Sequence, residues 1–453
     1  MKNFSFGGEN MRYDVVVVGG GPAGLVAAFT TKRFFGDKKI LVVKKTEKEM
    51  VPCGIPYIFH TLGSVENDYM GIEDRFKGAG IDLLIDEVVD GNPDEKKLFT
   101  KSGKEISYDK LIIATGSSPN TPKIPGVDLK GVFTVPKEAD YLKLLHEKVK
   151  DANDVVIIGG GFIGVEVADE IKKSGKNVTL VEIMDSLLPV SFDPDFGELA
   201  RKELESDNVK VLTGRKVTEI LGTEKVEGVK LDSGETIPAD VVVLATGYKP
   251  NSELARKLGL KVTELGFIET DEYMRTSKPD IFAAGDCVQH KDFLTGKPSR
   301  LMLASAAVFD ARIAASNLYG LKVIRTNKGS LNAYSTVIGS KAFGSVGITE
   351  RIAKEEGFEV VVGKAEAPDR HPGKFEDTSK LVVKLIFSED SKILLGAQVC
   401  GGKSVGEIVN LISLGIQKGI TANDLFTMQI GTHPLLTSAP TVYPLAKAAE
   451  MVL

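Results

Sequence analysis

Cys53 stands in KEMVPCGIPYIFH, residues 48–60, on a Pro- and Gly-flanked turn that runs into an apolar and aromatic stretch. A thiol so placed can be core filler, half of a disulfide, a metal ligand or a nucleophile, and only its thiolate performs the last role. The other two cysteines, Cys287 and Cys400, lie more than two hundred residues further along the chain. Three cysteines so scattered make neither a disulfide framework nor a zinc site.

Two glycine clusters carry a second kind of chemistry. In YDVVVVGGGPAGLVAAFTTKRF, a β-branched run from Val15 to Val18 meets Gly19, Gly21 and Gly24. Such a run suits a strand buried on both faces of a parallel sheet. In the G-x-G-x-x-G that follows, Gly19 makes the tight turn and Gly21 lets the backbone approach a pyrophosphate. Gly24 lets the helix, opened by Pro22 and Ala23, pack close on the strand. The unit recurs in NDVVIIGGGFIGVEVADEIKKSGKNVTLVE, with Gly159, Gly161 and Gly164. Glu182 stands 23 residues after Gly159, where an acid suits the hydroxyls of an adenosine ribose. The first unit ends its second strand, ILVVKK, in Lys44 and Lys45 instead. Two cradles imply two dinucleotides, and the pairing that does chemistry is a flavin beside a nicotinamide.

The whole chain must position these groups. Its 453 residues suffice for two or three domains with their own cores. A net charge of −5 leaves no basic footprint for nucleic acid. No apolar run approaches the ~18 residues that span a bilayer. The leader, MKNFSFGGENMRYD, lacks a signal peptide's apolar core and reads as frayed, with Met11 an alternative start. Few cysteines and no targeting segment predict a reduced, cytoplasmic protein.

Two further stretches, YDKLIIATGSSPNTP and ADVVVLATGYKPN, run from apolar strands into Ala-Thr-Gly at 114–116 and 245–247, and KPDIFAAGDCV ends a strand in Gly285-Asp286. Cradle, ATG, cradle, ATG and GD in this order resemble the pyridine nucleotide–disulfide oxidoreductases over essentially the whole chain. The resemblance implies an α/β protein with two Rossmann-like dinucleotide-binding domains, for FAD and NAD(P), and a C-terminal α+β dimerisation domain. It implies an FAD domain at 11–121 and 251–323, a nucleotide domain at 122–250 and a dimerisation domain at 324–453. Within the last, LVVKLIFSEDSKILLGAQVCGG reads as two strands joined by a polar turn, and SVGEIVNLISLGIQKGI as an apolar-periodic helix. The family's GD aspartate, which holds a flavin ribityl hydroxyl, falls on Asp286, and Lys44 falls where the family usually has Glu. Gly285, Thr115, Gly116 and Gly247 complete the expected cofactor contacts. Glu182 favours NADH over NADPH, with Lys172, Lys173 and Lys176 near enough in sequence to soften the preference.

Members with a redox disulfide carry Cys-x-x-x-x-Cys. CGIPY resembles instead the single-cysteine branch of coenzyme A disulfide, persulfide and polysulfide reductases, NADH oxidases and peroxidases, with Ile-Pro-Tyr leaning toward the coenzyme A and persulfide reductases. A Cys at a helix start has orphan amides and a positive dipole end beside its sulfur, which favour the thiolate. Cys53 therefore reads as the reagent. The family's dimer domain supplies tyrosines to the partner's cysteine; here DRHPG and GTHPLLTSAP place His371 and His433 at or beside those positions, as candidate general acids titrating near neutrality. Lys32 and Arg33 are the candidate contacts for the phosphates of coenzyme A, while Gly71 stands where related reductases have an arginine. The implied enzyme is a homodimer that reduces a small disulfide, persulfide or polysulfide with NAD(P)H through FAD and Cys53. The rivals are an NADH oxidase or peroxidase cycling through a Cys53 sulfenate, and a flavin-binding redox sensor.

Overall fold

The structure is a computed structural model and describes residues 10–453; residues 1–9 lie outside the described residues, and the rest of the leader expected to fray, residues 10–14, instead opens a strand. Met11 is the second residue of the strand Asn10–Val18, opposite Ile106. Val15, Val16 and Val17 of that strand are wholly buried, which puts it at the centre of the first sheet. The sheet order is Asp82–Ile85, Ile40–Lys44, Asn10–Val18, Glu105–Ile113, Lys97–Thr100 and Val88–Asn92. The first four run parallel and the last two extend them antiparallel. Ile281–Ala283, from far down the chain, joins in parallel beside Glu105–Ile113, so the sheet collects strands from both sides of the second cradle.

The second cradle has its own sheet, all parallel: Lys210–Leu212, Asn177–Val181, Asp154–Ile158, Val241–Leu244 and Val132–Thr134. A small antiparallel sheet, Val217–Gly222, Val226–Leu231 and Thr236–Pro238, covers one of its faces through a shared apolar cluster.

The two Ala-Thr-Gly stretches are where the chain crosses between these sheets. Immediately after them, Ser117–Pro119 pairs with Tyr248–Pro250. Thr115 Oγ1 donates to Asn251 O at 2.6 Å, and Asn251 Nδ2 donates to Thr115 O at 2.9 Å. Thr115, expected against the cofactor, thus commits its hydroxyl to locking the crossing.

The C-terminal part forms a five-stranded antiparallel sheet in the order Ala333–Ile338, Lys341–Gly347, Leu394–Gly401, Lys380–Ser388, Val360–Pro368. The helix Val405–Lys418 buries Ile408, Val409, Ile412 and Ile416 against it and ends where Gly419 turns left-handed at φ 67°. This matches the strand–turn–strand–helix pattern of the sequence. Among the described residues no helix is long and apolar enough to cross a membrane.

Candidate active site

Cys53 occupies a turn one residue before Gly54, which caps a five-residue 3-10 helix, Ile55–Phe59. Ile55, Ile58 and Phe59 are buried in one apolar cluster with Val165 and Ala168 of the second cradle's helix, Phe162–Lys173. From that helix, Glu170 accepts from Thr61 N and Thr61 Oγ1, both at 2.8 Å. The segment bearing the thiol is therefore clamped to the helix that opens at the second cradle. Gly54 is needed for a local reason: a Cβ there would overlap the carboxylate of Asp68, a residue only 3% exposed.

Cys53 is exposed, whereas Cys287 and Cys400 are buried. Burial pushes the Cys287 thiol up to about 11 and that of Cys400 up to about 12. The expected thiolate preference at Cys53 is not met within the single chain. Its side chain opens to solvent on one side, yet the surrounding protein desolvates it and raises its pKa. Glu166, Asp286 and Asp68 raise it further, and Lys137 opposes them. A short 3-10 turn aligns too few peptide dipoles to outweigh that burial and the three nearby carboxylates. Glu166 itself is driven up to about 7 by burial, although Thr336 Oγ1 donates to it at 2.6 Å. Asp68 is likewise raised by burial, to about 6.

Both cradles have the geometry their glycines imply. Gly19 and Gly159 adopt φ of 126° and 113°, and a Cβ on either would overlap the carbonyl just past the facing strand, at Ala114 or Ala245. A Cβ on Gly24 or Gly164 would overlap the carbonyl of Gly19 or Gly159, so the helix could not pack. At Gly21 and Gly161, by contrast, a Cβ would meet nothing within 4 Å. The middle glycines face open space of the kind a pyrophosphate needs, and the residues present fit FAD on one cradle and NAD(P)H on the other.

Asp286 follows Gly285, whose Cβ would press on Ala23 of the helix Pro22–Phe34 at 3.0 Å. Asp286 Oδ2 accepts from Ser117 Oγ at 2.7 Å and pairs with Lys137 Nζ at 2.9 Å. Burial works against its charge, but Lys137 and Ser117 hold its pKa below the usual carboxylate range. Beneath the turn, Asp310 Oδ2 accepts from Gly285 N at 3.4 Å and pairs with His290 Nε2 at 2.7 Å. Sequence reading missed Lys137, Ser117, His290 and Asp310. Only Asp310 left a signal, as a lone acid inside the apolar helix Ala304–Ser316.

Glu182 is 6% exposed; its Oε2 accepts from Gly160 N at 2.5 Å and its Oε1 from Met184 N at 2.7 Å. Lys172, Lys173 and Lys176 do not approach it. Lys172 and Lys173 end a helix of 12 residues, about 16 Å from its cradle end. All three bind locally, to Lys176 O, to Asp169 and Glu170, and to Lys150 O respectively.

Lys44 departs from its expected role. Its side chain is fully buried, with Nζ donating to Glu47 O at 2.9 Å and to Glu73 Oε1 at 3.1 Å, and it presents no free group to a cofactor. Lys32 Nζ donates to Gly36 O at 3.0 Å, while Arg33 is exposed and unpaired among the described residues. Gly71 supplies no cation; the guanidinium of Arg75 lies 5.5 Å from the centroid of the Phe29 ring, and Phe29 stands one helical turn before Arg33.

The two His-Pro segments come together: His371 N donates to Pro434 O at 3.1 Å, and His371 Nδ1 contacts Thr437 O at 2.9 Å. His433 is exposed and its Nδ1 accepts from Leu435 N at 3.2 Å. Within the one chain, no hydrogen bond among the described residues joins either histidine to Cys53.

The family described as pyridine nucleotide-disulphide oxidoreductase matches residues 13–311, and its dimerisation domain matches residues 334–442. An NADH oxidase of Methanocaldococcus jannaschii is 36% identical over 453 aligned residues, 97% of this chain and 98% of that protein. An NAD(P)H coenzyme A polysulfide/persulfide reductase of Pyrococcus horikoshii is 35% identical, over 98% of this chain and 99% of that protein. The solved structure of an NAD-dependent persulfide reductase from A. fulgidus superposes with a TM-score of 0.88 at 32% identity, over 98% of this chain and 83% of that chain. The two cradles, the crossing between them and the single exposed thiol thus belong to a member of the pyridine nucleotide-disulphide oxidoreductase family, an NAD(P)H-dependent flavoprotein oxidoreductase.

Proposed function

We propose that this enzyme reduces a small disulfide, persulfide or polysulfide, with coenzyme A derivatives favoured, through Cys53. The observation that carries the reading is the exposure of Cys53 beside the second cradle's helix while the other two thiols are buried. The cradle at Gly19, Gly21 and Gly24 with Asp286 would hold FAD, and that at Gly159, Gly161 and Gly164 with Glu182 would hold the nicotinamide nucleotide. When bound, the pair supplies two electrons as hydride equivalents. Cys53 attacks one substrate sulfur as thiolate, the S–S bond breaks, and the outgoing sulfur leaves with the electron pair. Two electrons then cleave the Cys53 mixed disulfide into two thiolates. Arg33, exposed and unpaired among the described residues, and Arg75, over the ring of Phe29, are the cations that would meet the phosphates of coenzyme A.

We assign 11–121 and 251–323 to the FAD domain, 122–250 to the nucleotide domain and 324–453 to the dimerisation domain. The last carries exposed apolar side chains, Leu414 at 55%, Leu435 at 51% and Leu436 at 68%, as a surface buried between two copies would. In a homodimer His433 would face the partner's thiol and protonate the leaving sulfur.

An anaerobic panel of acceptors, run with the wild type and Cys53→Ser, tests the reading. Steady NADH consumption with coenzyme A disulfide or persulfide, lost in Cys53→Ser, is expected. Consumption with peroxide alone, or only once oxygen is admitted, would replace it with the oxidase reading that the M. jannaschii relative's name suggests.

A further inference from the structure

The two cradles differ at one point. In the second, the strand Asn177–Val181 runs directly into Glu182, whose carboxylate receives the amide of Gly160, the cradle's central residue. In the first, the matching strand ends in Lys44, and its stem runs beneath the matching residue, Gly20. A Cβ added to Gly20 would lie 2.9 Å from Lys44 Cβ and 2.7 Å from Lys44 Cδ. The ammonium is carried beyond the cradle to Glu47 O and Glu73. A carboxylate nevertheless arrives there. The atom nearest to that added Cβ is Oε1 of Glu49, at 2.6 Å.

The loop after Lys44 is built to deliver it. Met70 N donates to Glu49 O at 2.9 Å, and Met50 bridges to Tyr69, which pins the loop's far end. Thr46 Oγ1 donates to Glu49 Oε1 at 2.8 Å. Thr46 stands two residues past Lys44, as Met184, which donates to Glu182 Oε1, stands two residues past Glu182. No ion pair among the described residues engages Glu49. The two cations whose field reaches it are already bound, Lys44 to Glu73 and Lys45 to Glu138. Burial raises the pKa of Glu49, against the opposing pull of Thr46, Lys44 and Lys45, a cost that hydroxyl donors would relieve.

We propose that Glu49 supplies the first cradle with the acid its strand end lacks, accepting hydrogen bonds from the adenosine ribose hydroxyls of FAD. The lysine at the strand end is then a spacer and counter-charge, and the ribose anchor is displaced by five positions into the loop that leads to Cys53.

The test is binding to the deflavinated protein, followed by flavin fluorescence. FAD and an FAD analogue with a 2′,3′-dideoxyadenosine half are each titrated into wild type and Glu49→Gln. Wild type should prefer FAD by about tenfold or more, the scale of a hydrogen bond to a charged acceptor. Glu49→Gln should bind FAD more weakly and lose most of that preference. Equal affinity of the wild type for FAD and the analogue would overturn the proposal without any variant being made. So would an undiminished preference in Glu49→Gln. Because no electron acceptor enters the assay, its outcome is independent of whether persulfide reduction proves correct.

Discussion

Lys137 Nζ lies 2.9 Å from Asp286 Oδ2, with Ser117 Oγ donating to the same oxygen at 2.7 Å. This one contact ties the GD turn to the segment leading into the second cradle, and its cation lowers the Cys53 pKa. Lys137→Met should therefore slow alkylation of Cys53 by iodoacetamide below pH 9. Glu166→Gln should accelerate it, because the strongest nearby negative charge on the thiol is gone. Several-fold changes in opposite directions are expected; unchanged rates in both variants would show that Cys53 is governed by burial alone.

Glu166 also links stability to pH. Its pKa rises from an ordinary carboxylate value to about 7 on folding, so the folded state binds the extra proton between those values. Stability from this group is thus greatest below the unfolded pKa and declines as pH rises toward 7. Glu166→Gln should flatten the fall in Tm between pH 5 and pH 8, which differential scanning fluorimetry would record.

Gly21→Val should purify folded but colourless. The added side chain meets no protein atom near its Cβ, so the fold is spared, and it enters the space the FAD pyrophosphate needs. Circular dichroism with the flavin-to-protein absorbance ratio decides it; a fully flavinated variant would remove FAD from that cradle.

NADH should be preferred over NADPH. The Glu182 carboxylate is fixed by two backbone amides, and the next side chains, Ile183 and Met184, are exposed and apolar at 59% and 53%, offering no cation to a 2′-phosphate. With the three nearby lysines held elsewhere, the preference should be at least about tenfold in kcat/KM, and Glu182→Ala should reduce it. A wild type favouring NADPH would mean the acid does not face the ribose.

Cys53→Ser should retain FAD and its reduction by NADH while losing turnover with disulfide and persulfide acceptors. His433→Ala should lose ~10²-fold or more, the scale of a positioned general acid, again with reduction by NADH unchanged. If the site spans two chains, mixing Cys53→Ser with His433→Ala should restore one working site per mixed dimer, since one chain supplies the thiol and the other the histidine. Absence of any recovery on mixing would place both groups in the same chain.

The two nucleotide units and their order were legible in the sequence, and Cys53 stood out there as the candidate thiol. Those features are local: a buried β-branched run, a left-handed glycine and a close helix approach each demand particular residue types within a few positions. The C-terminal strands and helix were legible for the same reason, through their apolar periodicity. What only tertiary structure decided depends on groups distant in the chain. Lys137 reaches Asp286 from 149 residues away, Glu170 holds Thr61 across 109, and Thr115 binds Asn251 across the crossing. No spacing rule announces such partners. The state of Cys53 belongs to the same class, because a thiol's pKa sums burial and field over everything packed around it. Local sequence promised a helix N-terminus, and the fold answered with three carboxylates. Lys44 shows the same division: its identity was plain in the chain, but only packing revealed that it turns inward to Glu73 and leaves Glu49 beside Gly20.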